Sequence, residues 1–210
     1  MARPTTPIDS RSRTARYSLP DSARSFGSDY TVHLFTHMGA TLLVFGIDPG
    51  STATGFSAVY REASRFVLVE AGVIRTRVKE PVPMRLRAIH EGLTKALDRI
   101  QPECVAIEAI FRHRSSESAL RLGQARGVAL LAAAQHDLEV TAYNPMTVKK
   151  CVGGTGRAGK VEMVRLVARL VGQKLATDAA DATAIAITHL INSAFASRVN
   201  QAQTPTRSRR

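Results

Sequence analysis

A short apolar run that stops at an acid constrains the fold of this chain more than any other feature. The run over residues 42–47 holds only aliphatic residues, Phe45 and Gly46, and it is followed by Asp48 and a Pro-Gly pair. A strand that is apolar on both faces must be covered on both faces, and Pro-Gly signals a turn. The run therefore predicts a central strand in a sheet flanked by helices, with Asp48 at its carboxyl end.

The rest of the pattern alternates short strands with amphipathic helices. In chain order it predicts strands over 55–60 and 66–74, a helix over 81–100, a strand over 104–110, a helix over 116–136, a strand over 139–142, and helices over 161–171 and 177–195. Thr177 is the candidate N-cap of the last helix, and one further helix before it has no assigned bounds. This order predicts an α/β fold with a mixed five-stranded sheet and helices on both faces.

The two ends of the chain differ in composition from its middle. Of the net charge of +12 over 210 residues, 1–37 contribute +2 and 198–210 contribute +4. Both ends are rich in Ser, Thr, Pro and Arg and poor in aliphatic residues, so they cannot bury enough surface to offset the entropy of ordering. We therefore expect one folded domain over 38–197 between two disordered basic segments, which either hold nucleic acid or only solubilise the chain.

Several classes of protein are disfavoured by composition. No apolar run reaches the roughly 18 residues of a membrane span, and residues 1–30 lack the apolar stretch of a signal peptide, so we expect a soluble cytoplasmic protein. The two cysteines, Cys104 and Cys151, provide neither a disulfide framework nor paired zinc-ligand spacing.

Carboxylates occur where the pattern predicts burial. Glu108 lies in the apolar strand over 104–110, where an unpaired carboxylate costs several kcal/mol. Asp178 and Asp181 share one face of the last helix, among alanines that allow a close approach to the sheet. Each acid also has a structural explanation without a metal. Glu108 can face solvent on an edge strand or pair with an Arg, and Asp48 can simply form the turn before Pro-Gly. Asp178 and Asp181 can complement the helix dipole in the first turn. Taken together, four carboxylates on two strands and a helix offer the oxygen ligands that Mg²⁺ prefers.

A glycine-rich basic segment over 149–160 suits a DNA backbone, because its amides and charges can approach phosphates. Its cations are Lys149, Lys150, Arg157 and Lys160. Residues 154–160 also match the GxxxxGK pattern of a nucleotide-binding P-loop, but Val161 lacks the hydroxyl that holds Mg²⁺ and no buried strand precedes the segment. An actin-like ATPase needs a longer chain with two lobes. A nucleic-acid-binding module without catalysis leaves the four acids unexplained.

Together these motifs resemble the RuvC family of bacterial Holliday-junction resolvases. The matching segments are GIDPG at 46–50 with TG at 54–55, AIE at 106–108, ALRLGQARG at 119–127, GRA with a Lys at 156–160, and DAADA with AITH at 178–189. The resemblance spans about 42–195, although 171–176 is slightly shorter than the family pattern. It implies a ribonuclease H-like fold, a homodimer, four-way DNA junctions as substrate, and the RuvA-RuvB branch-migration complex as partner.

The resemblance also assigns roles to single residues. It makes Asp48, Glu108, Asp178 and Asp181 the catalytic acids and the metal ligands, with two Mg²⁺ per subunit, replaceable by Mn²⁺, as cofactor. It implies 5′-phosphate and 3′-hydroxyl nicks made during recombination and DNA repair. Phe111 matches an aromatic that meets unstacked bases at the crossover. The predicted DNA-binding set is Phe111, Arg112, Arg114, Lys149, Lys150, Arg157 and Lys160. A nuclease that cuts RNA-DNA hybrids shares the fold and the metal chemistry, but the segments 119–127 and 149–160 favour the resolvase.

Overall fold

The structure, a computed structural model, describes residues 41–109, 116–154, 156 and 158–203, with side chains described as far as residue 194. Its elements are β1 (Val44–Asp48), β2 (Ala53–Glu62), β3 (Arg65–Arg75), α1 (Val82–Ile100), β4 (Cys104–Glu108), α2 (Ser116–Gln135), β5 (Glu139–Tyr143), α3 (Pro145–Gly153), α4 (Lys160–Val171) and α5 (Thr177–Gln203). Within the described ranges, none of these helices is both long enough and apolar enough to cross a membrane.

The five strands form one mixed sheet in the order β3-β2-β1-β4-β5. β1 and β2 are antiparallel, as are β2 and β3, whereas β4 runs parallel to both β1 and β5. In the register of the parallel pair, Ile47 lies beside Ile107, so the two strands end at the same edge of the sheet. Asp48 and Glu108 are therefore neighbours at that edge. The predicted fold class is confirmed, including helices on both faces.

Two separate cores cover the two faces of the sheet. Alternate residues of β1 point to opposite sides, so Phe45 and Ile47 pack under α1 and α2, while Val44 packs under α3, α4 and α5. α1 contributes large aliphatic side chains to its core, and the buried surface of α5 next to β1 is mostly alanine. This difference sets how closely each helix backbone approaches the sheet.

The helix α3 places part of the predicted basic loop in regular structure. Its N-cap Asn144 accepts a hydrogen bond from the Met146 amide at 2.8 Å, and Pro145 occupies the first turn. Both are typical helix-start signals. Lys149 and Lys150 consequently lie on a helix and not in a glycine-rich loop, which corrects the prediction for the first part of that segment.

Element boundaries differ from the predicted ones by a few residues. β4 ends at Glu108, so this acid occupies the last position of its strand and not the middle of a longer one. Thr177, the predicted N-cap of the last helix, is the first residue of α5. This helix continues to Gln203, beyond its predicted end at 195.

Candidate active site

A pocket of about 310 Å³ opens at the edge where β1 and β4 end. It is bounded by the two strand ends on one side and by α3, α4 and α5 on the other. Its lining residues are Asp48, Glu108, Pro145, Val148, Lys149, Lys160, Met163, Asp181, Ala184 and Ile185. Three of the four predicted acids and two of the predicted basic residues therefore share one cavity.

Two strand glycines allow α5 to lie directly on the sheet. A Cβ at Gly46 would stand 2.1 Å from the carbonyl oxygen of Ala182, and a Cβ at Gly55 would stand 2.0 Å from that of Asp178. No side chain fits at either position unless the helix moves. Because α5 sits this close, its amino-terminal turns bring Asp178 and Asp181 to the end of β1.

A buried hydrogen bond reinforces the same contact. The Thr183 hydroxyl of α5 donates to the Ala179 carbonyl at 2.7 Å and accepts from the Ser57 hydroxyl of β2 at 2.8 Å, and both hydroxyl side chains are fully buried. Ala182 and Ala186 are also fully buried against the strands. The predicted close approach of an alanine-rich helix is thus observed. Sequence reasoning did not single out Gly46 and Gly55 as its cause, although a glycine in an otherwise apolar strand is a signal for close backbone approach.

Burial and neighbouring like charges both oppose ionisation of the acids in the pocket. Burial, followed by the charges of Glu108, Asp181 and Asp178, raises the pKa of Asp48 to about 8. Burial also raises the pKa of Asp181, although Lys160 opposes that rise. Carboxylates held in this way resist ionisation together, so the cluster favours a bound cation.

Two lysines face the acids across the pocket. The Lys160 Nζ lies 3.6 Å from Asp181 Oδ2, and the charges of Lys149 and Lys160 both lower the pKa of Asp181. Lys149 projects from α3, and Lys160 is the first residue of α4. A pocket with carboxylates on one wall and ammonium groups on the other can hold a phosphodiester between a cation and the lysines.

The remaining predicted site residues fall outside the pocket lining or outside the described residues. Asp178 is the second residue of α5 and acts on Asp48 through its charge, but it does not line the pocket. Lys150 is exposed on α3, away from the lining. Four predicted DNA-binding residues lie outside the described residues: Phe111, Arg112, Arg114 and Arg157.

The donor set fits a hard divalent cation, although it does not form a closed cage. In the part of the chain that the structure describes, no three His, Cys, Asp or Glu side chains are grouped tightly enough to hold a metal ion by themselves. Mg²⁺ is usually bound by one or two carboxylates and completed by waters and substrate phosphates. Asp48, Glu108 and Asp181 provide such oxygen donors in one open pocket.

The fold and the pocket together define a nuclease of the ribonuclease H-like class, with acids on its first strand, its fourth strand and its last helix. A family model described as "Crossover junction endodeoxyribonuclease RuvC" matches residues 44–189. The chain belongs to this RuvC family of crossover junction endodeoxyribonucleases, which confirms the resemblance and the predicted enzyme class.

Individual relatives agree with this assignment. The crossover junction endodeoxyribonuclease of Haemophilus influenzae (strain PittEE) is 44% identical over 149 residues, covering 70% of this chain and 78% of the relative. That of Magnetococcus marinus (strain MC-1) is 46% identical over 149 residues, covering 70% and 83%. The structure of T. thermophilus RuvC with a Holliday junction substrate superposes with a TM-score of 0.68 at 37% identity, covering 76% of this chain and 96% of the other. The yeast mitochondrial Holliday junction resolvase shares the fold at 18% identity, with a TM-score of 0.58, over 77% and 83%.

Proposed function

We propose that this endonuclease resolves four-way (Holliday) DNA junctions by paired, metal-dependent hydrolysis of phosphodiester bonds, leaving 5′-phosphate and 3′-hydroxyl nicks. The observation that carries this proposal is the meeting of Asp48, Glu108 and Asp181 with Lys149 and Lys160 in one pocket. The similarity to a T. thermophilus relative that binds a Holliday junction supports the choice of substrate. Recombination and DNA repair are the processes in which such junctions arise, and the cytoplasm is the proposed location.

The proposed cofactor is two Mg²⁺ per subunit, replaceable by Mn²⁺, held by Asp48, Glu108, Asp178 and Asp181. When bound, the cations lower the pKa of the attacking water and stabilise the charge on the leaving 3′ oxygen. The protein's own contribution is to hold the acids at one sheet edge, since β1 and β4 end side by side.

The two lysines have separate tasks in this mechanism. Lys160 pairs with Asp181 at 3.6 Å and so restrains the orientation of that carboxylate. Lys149 lies on the same wall and offers an ammonium group to the non-bridging oxygens of the scissile phosphate. Neither lysine has to lose its proton for the reaction. In this mechanism the acids bind the cations, and the lysines orient an acid and bind the phosphate.

A homodimer is the proposed assembly, because a twofold dimer matches the pseudo-twofold symmetry of a four-way junction and each subunit then cuts one of two like strands. Leu120 and Leu131 of α2 support it. They are 63% and 51% exposed, and their spacing of eleven residues, about three helical turns, puts them on one face of the helix. Both leucines are therefore available for contact with a second subunit. The RuvA-RuvB complex is the proposed partner in branch migration.

Substrate choice tests this proposal most directly. The protein is incubated in Mg²⁺ with a synthetic four-way junction, a linear duplex of the same sequence, and an RNA-DNA hybrid. We expect paired, symmetrically placed nicks in the junction, ends that DNA ligase seals without further treatment, and no cleavage of the duplex. Efficient cleavage of the hybrid with an intact junction would instead identify the ribonuclease H activity of the same fold. Cleavage that persists in EDTA would contradict the metal-dependent mechanism.

A further inference from the structure

Two arginines reach the acid-bearing strand ends from the face opposite the pocket. Arg85 of α1 donates to the main-chain carbonyl of Ser51, three residues after Asp48, through both Nε, at 3.2 Å, and Nη2. Arg126 of α2 donates through Nε to the main-chain carbonyl of Glu108 at 3.2 Å. Each guanidinium therefore binds the backbone of one segment that supplies an acid to the pocket.

The burial of Arg85 is not explained by an ion pair. Its side chain is only 5% exposed, and among the described residues no carboxylate forms an ion pair with it. Burying a cation without a carboxylate partner costs several kcal/mol. Arg99, on the same helix, shows the ordinary alternative, since it pairs with Glu70 at the surface. The hydrogen bonds of Arg85 are directed instead at the turn that follows β1.

That turn is bound from a second direction as well. The Thr76 hydroxyl donates to the Ser51 carbonyl at 2.7 Å, and the Thr76 amide donates to the Thr52 carbonyl at 3.0 Å. Arg85 Nε also lies 3.3 Å from the Thr76 hydroxyl. A carbonyl oxygen has two lone pairs, so three donor groups saturate the Ser51 oxygen. The chain beyond Asp48 is thereby tied to both α1 and the end of β3.

The acids require such restraint because they repel one another. Asp48 and Glu108 end two adjacent parallel strands and line one pocket together with Asp181, so their like charges are held close together. Strand ends that were free to move would relax this repulsion by separating, and the spacing needed for one cation would be lost. Groups that orient metal ligands from behind typically change metal affinity or activity by about 10- to 100-fold when they are removed.

We propose that Arg85 and Arg126 are positioning residues of the metal site. They fix the backbone at the two strand ends so that Asp48 and Glu108 keep the separation that a divalent cation requires. Neither arginine touches the cation or the DNA in this proposal. The proposal rests on the proposed function only in requiring that these acids bind a divalent cation.

The test compares each arginine with a surface arginine on its own helix. Arg85→Lys and Arg126→Lys keep the charge but lose the planar fork of donors. Arg99→Lys and Arg121→Lys are the matched controls, because each makes the same exchange in an exposed ion pair of α1 or α2. The measurements are the Mn²⁺ dissociation constant of the DNA-free protein by electron paramagnetic resonance, the junction dissociation constant in EDTA, and kcat.

We expect the Mn²⁺ dissociation constant to rise about 10- to 100-fold in Arg85→Lys and Arg126→Lys and to stay within about twofold in the controls. kcat should fall in parallel, while the junction dissociation constant in EDTA stays near the wild-type value. Thr76→Val, which removes one donor to the Ser51 carbonyl, should give a smaller rise and provides the test if an arginine variant fails to fold. Wild-type Mn²⁺ affinity in the folded variants would overturn the positioning role, even if their melting temperatures fell. Absence of Mn²⁺ binding by the wild-type protein would instead overturn the metal mechanism itself.

Discussion

Helices α1 and α5 cover opposite faces of the same sheet in different ways. α1 inserts Ile89, Leu93 and Leu97, all fully buried and spaced four residues apart, into one core. α5 presents alanines to the glycines of β1 and β2, so backbone meets backbone. A buried Leu or Ile contributes about 1.5–3 kcal/mol from removal of apolar surface, and an alanine contributes much less. The comparison shows that α1 packs through large side chains, whereas the amino-terminal turns of α5 give up hydrophobic energy to place their carboxylates. The large buried side chains of α5 begin only at Ile185.

The largest expected difference between the two helices concerns their aspartates. Asp181→Asn on α5 should abolish junction cleavage in Mg²⁺ while junction binding persists, because it removes a proposed cation ligand and also relieves repulsion with DNA phosphates. Asp98→Asn on α1, at a side chain that is 64% exposed, is the matched control and should cut at the wild-type rate. Gel assays of cleavage and of binding separate the two effects. Normal cleavage by Asp181→Asn would remove α5 from the active site.

A second comparison sets a variant that displaces α5 from the sheet against a variant that weakens the core under α1. Gly46→Ala places a methyl group where the Ala182 carbonyl now lies, so α5 must shift, and displacements of about 1 Å can cost about 100-fold in rate. Leu93→Ala should cost about 2–5 kcal/mol of unfolding free energy, yet the folded fraction should retain near-normal kcat. Denaturant unfolding and single-turnover cleavage measure both quantities for each variant. A Gly46→Ala protein with wild-type kcat would show that the close seat of α5 is unnecessary.

A third test uses the pKa of Asp48, which lies near 8 in the folded protein and at 3.8 ordinarily. Between pH 3.8 and about pH 8, Asp48 is therefore protonated in the metal-free folded state and ionised in the unfolded state. The stability of the folded state falls as the pH rises through this range. Each pKa unit corresponds to about 1.4 kcal/mol, and 1 kcal/mol shifts the melting temperature of a domain of this size by about 2–4 °C. In EDTA at pH 8, Asp48→Asn should thus melt several degrees above the wild type, and the difference should disappear near pH 4. An equal melting temperature at pH 8 would show that burial and the neighbouring carboxylates do not raise the pKa of Asp48.

The smallest expected effect lies on the α1 side. His136 Nδ1 bonds the Ala132 carbonyl at 2.8 Å and Nε2 bonds Asp98 at 2.9 Å, so both ring nitrogens carry protons. Burial lowers the pKa of His136, but these two hydrogen bonds outweigh it and raise the pKa above its ordinary value. Stability from this contact is complete below about pH 6.5 and is lost as the pH rises through the raised pKa. Asp98→Asn should remove a pH-dependent contribution of about 1 kcal/mol or less. Identical pH profiles of unfolding in the two proteins would rule the contact out.

Sequence patterns predicted the parts of the fold that depend on periodicity and apolar runs. β1 was predicted because its apolar run leaves no polar face, and α1 because its apolar residues recur every three or four positions. The ends of α3 could not be predicted from the pattern, because the helix has only nine residues and the glycines after it are typical of a loop. Its Asn-Pro start was nevertheless present in the sequence as an N-cap signal.

The candidate site was predicted as a set of residue types and not as a geometry. Burial of Glu108 and the spacing of Asp178 and Asp181 indicated a metal site, but only the parallel pairing of β1 with β4 places Glu108 beside Asp48. The support of that site by Arg85 was not predicted. Its contact with Ser51 joins residues 34 positions apart, and an arginine in an amphipathic helix gives no sign that it turns inward. Long-range contacts between side chain and backbone leave no periodic trace in a sequence.

The amino-terminal turns of α5 cannot fray as helix ends usually do. Fraying is inexpensive where it exposes only solvated backbone, but here Ala179, Ala180 and Ala182 are buried, and the Thr183 hydroxyl is bonded to the sheet. Lifting these turns would open one core along β1 and β2 to water. We therefore expect the opening free energy of this end of α5 to approach that of global unfolding, and its amide hydrogens to exchange as slowly as those of the central strands. Asp178 and Asp181 then remain in register with Asp48 for as long as the protein stays folded, so the acids stay assembled between one junction and the next.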